Sequence, residues 1–99
     1  MLDQQTRAAL EQQQWSIDVN DVSPIPHRTS FVELWKMYAN GVAVTLSIQH
    51  EQGQFVVYAD VGHAAAGTNR IEYGRFSTLD AAVAQLIQAC YQYDGAWET

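Results

Sequence analysis

Hydrophobic and polar residues alternate on both sides of Asn40-Gly41, and this pattern predicts a β-hairpin. Asn-Gly between two apolar runs favours a type I′ turn, because both central residues of that turn need positive φ. Folding the chain about this pair sets the register of the two strands, and the register predicts a sheet with an apolar side. The predicted partners are Ala39 with Val42, Met37 with Val44, and Trp35 with Leu46.

The two faces of this hairpin follow from the predicted register. The apolar face carries Phe31, Trp35, Met37, Ala39, Val42, Val44, Leu46 and Ile48, with Glu33 among them. The other face carries Lys36, Tyr38, Thr45, Ser47 and Gln49, together with Val32, Leu34 and Ala43. Residues 31–39 also fit a helix that Asn40-Gly41 would end, because Ser30-x-x-Glu33 has the form of a capping box. We favour the strand, since the cross-strand match extends over both sides of the turn.

Flanking segments complete the predicted fold. Residues 3–14 favour a helix capped by Asp3, and the alternation over residues 15–19 predicts a short strand with Trp15, Ile17 and Val19 directed inward. Residues 54–61 and 70–76 predict two further strands, the second short and charged as an edge strand should be. The Gly62–Asn69 segment between them is interpreted as a mobile loop.

The C-terminal segment has the clearest helical pattern. Ser77 or Thr78 can cap it, and Asp94-Gly95 is expected to end it. Its apolar stripe is formed by Leu79, Ala82, Val83, Leu86, Ile87 and Cys90, and its other side by Ala81, Ala84, Gln85, Gln88, Ala89 and Gln92. Because uncharged amides and alanines cost less to desolvate than charged groups, we interpret this second side as a surface covered by a partner.

The predicted architecture is therefore α+β, in the order α-β-β-β-β-α. Residues 1–99 form a single domain with an N-terminal helix at about 3–14, a sheet at about 15–76 and a C-terminal helix at about 78–93. The sheet is an antiparallel meander of four strands, with three to five strands compatible with the pattern. We expect the sheet to retain apolar side chains on the face that the long helix does not cover, where Tyr38, Tyr58 and Tyr73 accompany Val32, Leu34 and Val56.

Composition narrows the classes of function. The 99 residues are 47% hydrophobic and 16% charged, with a net charge of −6. The five basic residues are scattered, so direct binding of nucleic acid is not expected. The single cysteine, Cys90, excludes an intramolecular disulfide and lies on the apolar stripe as a small hydrophobe. No apolar run reaches the length of a membrane span, and we expect a cytoplasmic protein.

Candidate chemistry is sparse along the chain. His27, His50 and His63 show no metal-ligand spacing, and we expect no metal, no cofactor and no catalytic residue. Glu33 is the one carboxylate on the predicted apolar face, so it should pair with Arg28, Arg70 or Arg75. An alternative places Glu33, His63 and Tyr73 in a ligand pocket between the sheet and the last helix.

Three hypotheses for function follow. The first is a small, acidic, non-enzymatic protein-interaction module that forms a homodimer. The second is an acidic inhibitor or adaptor that occupies a basic, nucleic-acid-binding site on another protein, as small phage and mobile-element proteins do. The third is the small-ligand or enzyme-like pocket. The candidate contact residues are Glu33, Tyr38, Tyr58, His63, Tyr73, Gln85, Gln88, Gln92 and Trp97.

Overall fold

A computed structural model describes residues 2–19, 30–63 and 67–97. It confirms the α+β class, with five antiparallel strands in the order β1-β2-β3-β4-β5 between two helices. Each strand lies next to its neighbour in the chain, so the sheet is a simple meander. The elements are α1 (Gln4–Gln12), β1 (Ser16–Val19), β2 (Ser30–Met37), β3 (Val42–Glu51), β4 (Gln54–His63), β5 (Gly67–Phe76) and α2 (Leu79–Trp97).

Both helices begin where the sequence predicts. Asp3 caps α1, because its Oδ1 accepts a hydrogen bond of 2.6 Å from the amide of Thr6. This bond also holds the pKa of Asp3 below its usual value. Thr78 caps α2, since its Oγ1 accepts a hydrogen bond of 3.2 Å from the amide of Ala81.

The predicted end of α2 is wrong. The helix continues through Asp94 and Gly95 to Trp97. The φ angle of Gly95 is not positive, so this glycine does not form the left-handed cap expected of it. Tertiary contacts account for the difference, because the Asp94 carboxylate and the Trp97 ring both pack against the sheet.

The hairpin exists, but its turn is not the predicted type I′. The amide of Gly41 donates to the carbonyl of Tyr38 at 3.0 Å, and the amide of Tyr38 donates to the carbonyl of Val42 at 2.9 Å. Gly41 has φ +86°, whereas Asn40 does not have a positive φ. The loop therefore spans three residues and has its glycine in the left-handed region. Asn40 contributes through its side chain, whose Oδ1 accepts a hydrogen bond of 2.9 Å from the amide of Val42.

This extra loop residue shifts the register by one position. Met37 pairs with Ala43 instead of Val44, and Trp35 pairs with Thr45 instead of Leu46. A shift of one residue exchanges the two faces of a strand, so the predicted faces of β2 are wrong from Val32 to Met37. Phe31 lies at the irregularity between Ser30 and Val32 and packs against the core, as predicted. The α2 side of β2 carries Val32, Leu34, Lys36 and Tyr38, which are buried, while the other side carries Glu33, Trp35 and Met37.

The next two connections join β3 to β4 and β4 to β5. Gln52 and Gly53 form a two-residue turn, with φ +51° and +78°, so this pair has the positive φ values of a type I′ turn. The segment predicted as a loop over Gly62–Asn69 is mostly strand, because β4 runs to His63 and β5 begins at Gly67. Residues 64–66 of that prediction lie outside the described residues.

The main core lies between the sheet and α2. The buried side chains of α2 are Ala82, Val83, Leu86, Ala89, Cys90 and Asp94, which confirms the predicted stripe but moves Ala89 to the buried side. They pack on the even-numbered residues of β3 and the odd-numbered residues of β4. Trp15 is buried as predicted, Ile17 packs against the core, and the side chain of Val19 lies outside the described residues. Among the described helices, neither is both long and apolar enough to cross a membrane.

Candidate interaction surfaces

The face of the sheet turned away from α2 is called the outer face here. Its residues follow from the register, because directly opposed residues of antiparallel strands share a face. Two rows cross the strands side by side. The first row is Ser16, Trp35, Thr45, Asp60 and Arg70, and the second is Asp18, Glu33, Ser47, Tyr58 and Glu72.

Large apolar side chains are exposed on the outer face at β2. Trp35 is 51% exposed and Met37 is 64% exposed. The cross-strand neighbours on β3 are Thr45 and Ala43, which are small and leave the Trp35 and Met37 side chains prominent. Trp and Met are enriched in protein interfaces relative to other surfaces.

Ion pairs cover the β4–β5 side of the outer face. The Arg70 guanidinium binds Asp60 through Nε at 2.9 Å and Nη2 at 3.1 Å, and lies 4.6 Å from the centre of the Tyr58 ring. The Arg75 guanidinium binds Glu72 through Nε at 3.3 Å and Nη2 at 3.0 Å. These pairs engage Arg70 and Arg75, which are two of the three arginines that the sequence offered as partners of Glu33.

Tyr58 connects this network to β3. Its hydroxyl donates to the Glu51 carboxylate, with distances of 2.9 and 3.0 Å to the two oxygens. Burial raises the pKa of Tyr58, and the hydrogen bond to Glu51 raises it further because it favours the neutral phenol. Tyr58 is thus the predicted contact residue that lies on the outer face together with Glu33.

Carboxylates dominate the charge of the outer face. Five described carboxylates and two guanidinium groups lie on this face, so its net charge is negative. The five are Asp18, Glu33, Glu51, Asp60 and Glu72. The other described acids lie at α1, at the start of α2, or in the interior. Among the described residues, the outer face thus carries more carboxylates than any other part of the surface.

The centre of the outer face is more enclosed than its ends. Ser47 is 4% exposed and Val56 is fully buried. The Oγ of Ser47 is buried and has no hydrogen-bond partner within residues 2–19, 30–63 and 67–97. The exposed part of this face is consequently the β1–β2 side, which carries Trp35 and Met37, and the charged rim on β5.

A buried ion pair joins α2 to the sheet. Lys36 Nζ lies 2.9 Å from Asp94 Oδ1, which also accepts a hydrogen bond of 2.8 Å from the Tyr38 hydroxyl. Asp94 Oδ2 accepts one of 3.1 Å from Trp15 Nε1, and Lys36 also donates to the carbonyl oxygen of Gln13. The ammonium lies 5.0 Å from the Tyr38 ring centre and 5.6 Å from that of Trp15.

This cluster has a structural role, because it holds separate elements of the fold together. Lys36 is 3% exposed and Asp94 is 9% exposed, so neither group can meet a substrate from solution. The cluster connects β2, the end of α2 and the segment after α1. The sequence did not predict it, because the expected register placed Lys36 on the opposite face and the expected helix ended at Asp94.

Several predicted contact residues instead form an internal aromatic row. Tyr38 and Trp97 have ring centres 5.2 Å apart, as do Trp97 and Tyr93, and the Tyr73 hydroxyl donates to that of Tyr93 at 2.6 Å. Burial and this hydrogen bond raise the pKa of Tyr93. The row lies between the sheet and α2, so Tyr38 and Tyr73 are not on the outer face as predicted. Trp97, another candidate contact residue, packs against Tyr38 and Tyr93 in this row.

The amide side chains of α2 lie on a different surface. Gln88 and Gln92 are exposed and Gln85 is partly exposed, on the side of the helix away from the sheet. Tyr91 joins them with 49% exposure. Nothing in the described chain shows what covers this side of α2.

The three residues of the proposed pocket are not brought together. Glu33 lies on the outer face, while Tyr73 packs against α2. His63 is exposed at the end of β4, where its ring would contact a Cβ added at Gly41. The proposed partner Arg28 of Glu33 lies outside the described residues.

Metal and thiol chemistry find no support in the described residues. No group of three or more His, Cys, Asp or Glu side chains in residues 2–19, 30–63 and 67–97 could hold a metal ion. Cys90 is buried, and burial raises its pKa to about 12, with the nearby Asp94 as a second cause. The thiol is therefore protonated and inert near neutral pH. His27 lies outside the described residues.

Comparisons with known protein families, with curated proteins and with solved structures gave no match to this chain.

Proposed function

We propose that this chain is a small, non-enzymatic protein-interaction module that uses its outer face to bind a basic surface on another protein. The observation that carries the proposal is the meeting of two features on this face. Exposed Trp35 and Met37 lie beside a cross-strand row that contains Asp18, Glu33 and Glu72. Exposed apolar side chains next to a row of carboxylates are suited to a partner that presents lysine or arginine side chains.

Trp35 adds a specific contribution to such binding. A cation placed over an indole ring gains about 0.5–1 kcal/mol at an exposed site. The hydrocarbon stem of a lysine or arginine can lie along Met37 while its charge reaches the carboxylates. This combination corresponds to the inhibitor or adaptor hypothesis, in which the partner is a protein with a basic site.

Binding of a fluorescent oligolysine peptide to the ¹⁵N-labelled protein tests the proposal. The largest amide shifts are expected in β1, β2 and the facing part of β3, and Trp35→Ala should weaken binding by about threefold to fivefold. The variant combining Asp18→Asn with Glu33→Gln should weaken it further.

The matched control removes the same amount of charge elsewhere. Glu11→Gln combined with Asp80→Asn changes the net charge equally, but at α1 and the start of α2. Equal weakening by the control pair, or shifts centred on α2, would show that the peptide senses only net charge and would refute the outer face as the binding surface.

The homodimer hypothesis needs a different surface from the one first expected. Two copies that met through their outer faces would bring acidic rows together, and like charges oppose association. The homodimer itself stays a prediction, and the edge of the sheet at β5 suits it better than the outer face.

A further inference from the structure

Strand β5 forms one edge of the sheet. It pairs with β4 on one side, and in the described part of the chain no strand lies on its other side. Residues 67–72 are all exposed. Such an edge presents unpaired amide and carbonyl groups that can bond another strand. Ile71 is 44% exposed here, on the side of the sheet that faces α2.

Symmetry restricts how this edge can pair with a second copy of itself. Along a strand, alternate residues direct their amide and carbonyl groups to opposite edges. In an antiparallel pair of identical strands related by a two-fold axis, the sequence numbers of paired residues must therefore differ by an even number. One residue then lies opposite its own copy, and the axis passes between the two. Within the exposed stretch, charge then distinguishes the registers centred on residues 70, 71 and 72.

The charges favour one of these three registers. Centring on Arg70 would place two guanidinium groups opposite each other, and centring on Glu72 would do the same with two carboxylates. Centring on Ile71 places Arg70 of each copy directly opposite Glu72 of the other, which gives two cross-strand pairs of opposite charge. Arg70 holds Asp60 through Nε and Nη2, and among the described residues Nη1 makes no hydrogen bond.

We propose that two copies of this chain associate through antiparallel pairing of β5, with Ile71 on the two-fold axis. The two five-stranded sheets then form one continuous sheet. Each exposed Ile71 side chain is covered by its counterpart. The register shift between Val57 and Tyr58 leaves Tyr73 as an extra residue in β5, so regular pairing is confined to the residues around Ile71 and the dimer is weak.

The proposed dimer has a consequence for the surfaces described above. A two-fold axis at a shared sheet edge stands perpendicular to the sheet, so both outer faces lie on the same side. The dimer would present two acidic surfaces in one direction. Its existence does not depend on what those surfaces bind.

Sedimentation velocity with charge-reversal variants tests this pairing. At concentrations on the order of 100 µM, suited to a weak dimer, the native chain should sediment partly as a dimer. Arg70→Glu and Glu72→Arg should each weaken the dimer by at least about tenfold, since each reverses both charge pairs. An equimolar mixture of the two variants should associate again, because every pair in the mixed dimer has opposite charges. The chain carrying both substitutions should also recover the dimer.

Controls separate this effect from loss of the fold. Arg75→Glu reverses a charge on the same strand and face but beyond the extra residue, so it should leave the dimer intact. Ile71→Lys should abolish the dimer without removing the ion pair of Arg70 with Asp60. Circular dichroism should show an unchanged sheet in each variant. A native chain that is strictly monomeric, or a dimer that survives both single reversals, would overturn the proposal.

Discussion

Replacing Asp94 by alanine should strongly destabilise this protein, because Asp94 is the acceptor at the centre of a buried polar cluster. The Asp94 carboxylate accepts hydrogen bonds from Lys36, Tyr38 and Trp15. Without it, the Lys36 ammonium loses the Asp94 carboxylate, which lies 2.9 Å away, while the Lys36 side chain is only 3% exposed to solvent. Two neutral donors lose their acceptor in the same step.

The magnitude follows from the burial of the pair. Removing one partner of a buried ion pair costs about 3–5 kcal/mol, because the remaining charge is left uncompensated. Native proteins have a total stability of about 5–15 kcal/mol, so this cost is a large fraction of the free energy of unfolding. Each kcal/mol lowers the melting temperature by about 4–8 °C in a domain of 60–100 residues. We therefore expect a fall of at least about 12 °C.

Urea unfolding followed by circular dichroism measures this cost. Gln92→Ala is the matched control, because Gln92 is exposed on the same helix, and it should change the free energy of unfolding by less than about 0.5 kcal/mol. Tyr38→Phe removes one neutral donor and should cost about 1 kcal/mol. The double variant Lys36→Met with Asp94→Leu should be more stable than either single change, since well-packed apolar residues replace buried ion pairs at little cost.

Two results would refute this reasoning. A cost below about 1 kcal/mol for Asp94→Ala would match an exposed ion pair instead of a buried one. Additive costs in the double variant would show that Lys36 and Asp94 do not act as a pair. Either result would place the end of α2 away from the sheet.

Three further predictions concern a turn, two glycines inside β4 and α2, and the buried thiol. Gly53→Ala should lower the free energy of unfolding, measured in urea, by about 1–2 kcal/mol, because the φ angle of Gly53 is +78°. Gln52→Gly should raise this free energy, because Gln52 also has a positive φ, of +51°. Equal effects of the two variants would contradict the turn conformation described above. Gly62→Ala should destabilise the protein, because the added Cβ would overlap the backbone of β5. Gly95→Ala should stabilise the protein by about 0.5–1 kcal/mol, because Gly95 lies in a helix and its added Cβ meets open space. The Cys90 thiol should react with a thiol reagent only when the protein unfolds, and fast labelling of the native protein would contradict this. The same thiol should lower the free energy of unfolding as the pH rises from 9.0 towards 12, because in that range it ionises only in the unfolded chain.

The sequence by itself determined the elements of this fold and their order. Caps such as Asp3 and Thr78 are local, because one side chain bonds an amide three residues away. The apolar stripe of α2 and the alternation in β3 and β4 are also local, since each reflects the period of a single element. The burial of Cys90 could be predicted for the same reason.

Only the tertiary structure decided the register of the first hairpin and the surfaces that depend on it. Asn40-Gly41 is compatible with loops of two or three residues, and the choice exchanges the side chains from Val32 to Met37 between the faces of β2. The three-residue loop directs Lys36 inward, where Asp94, 58 positions away, compensates its charge. It also directs Trp35 and Met37 outward, which creates the proposed binding surface. A local pattern cannot weigh a contact between residues so distant in the chain, and this contact is what makes a buried lysine tolerable.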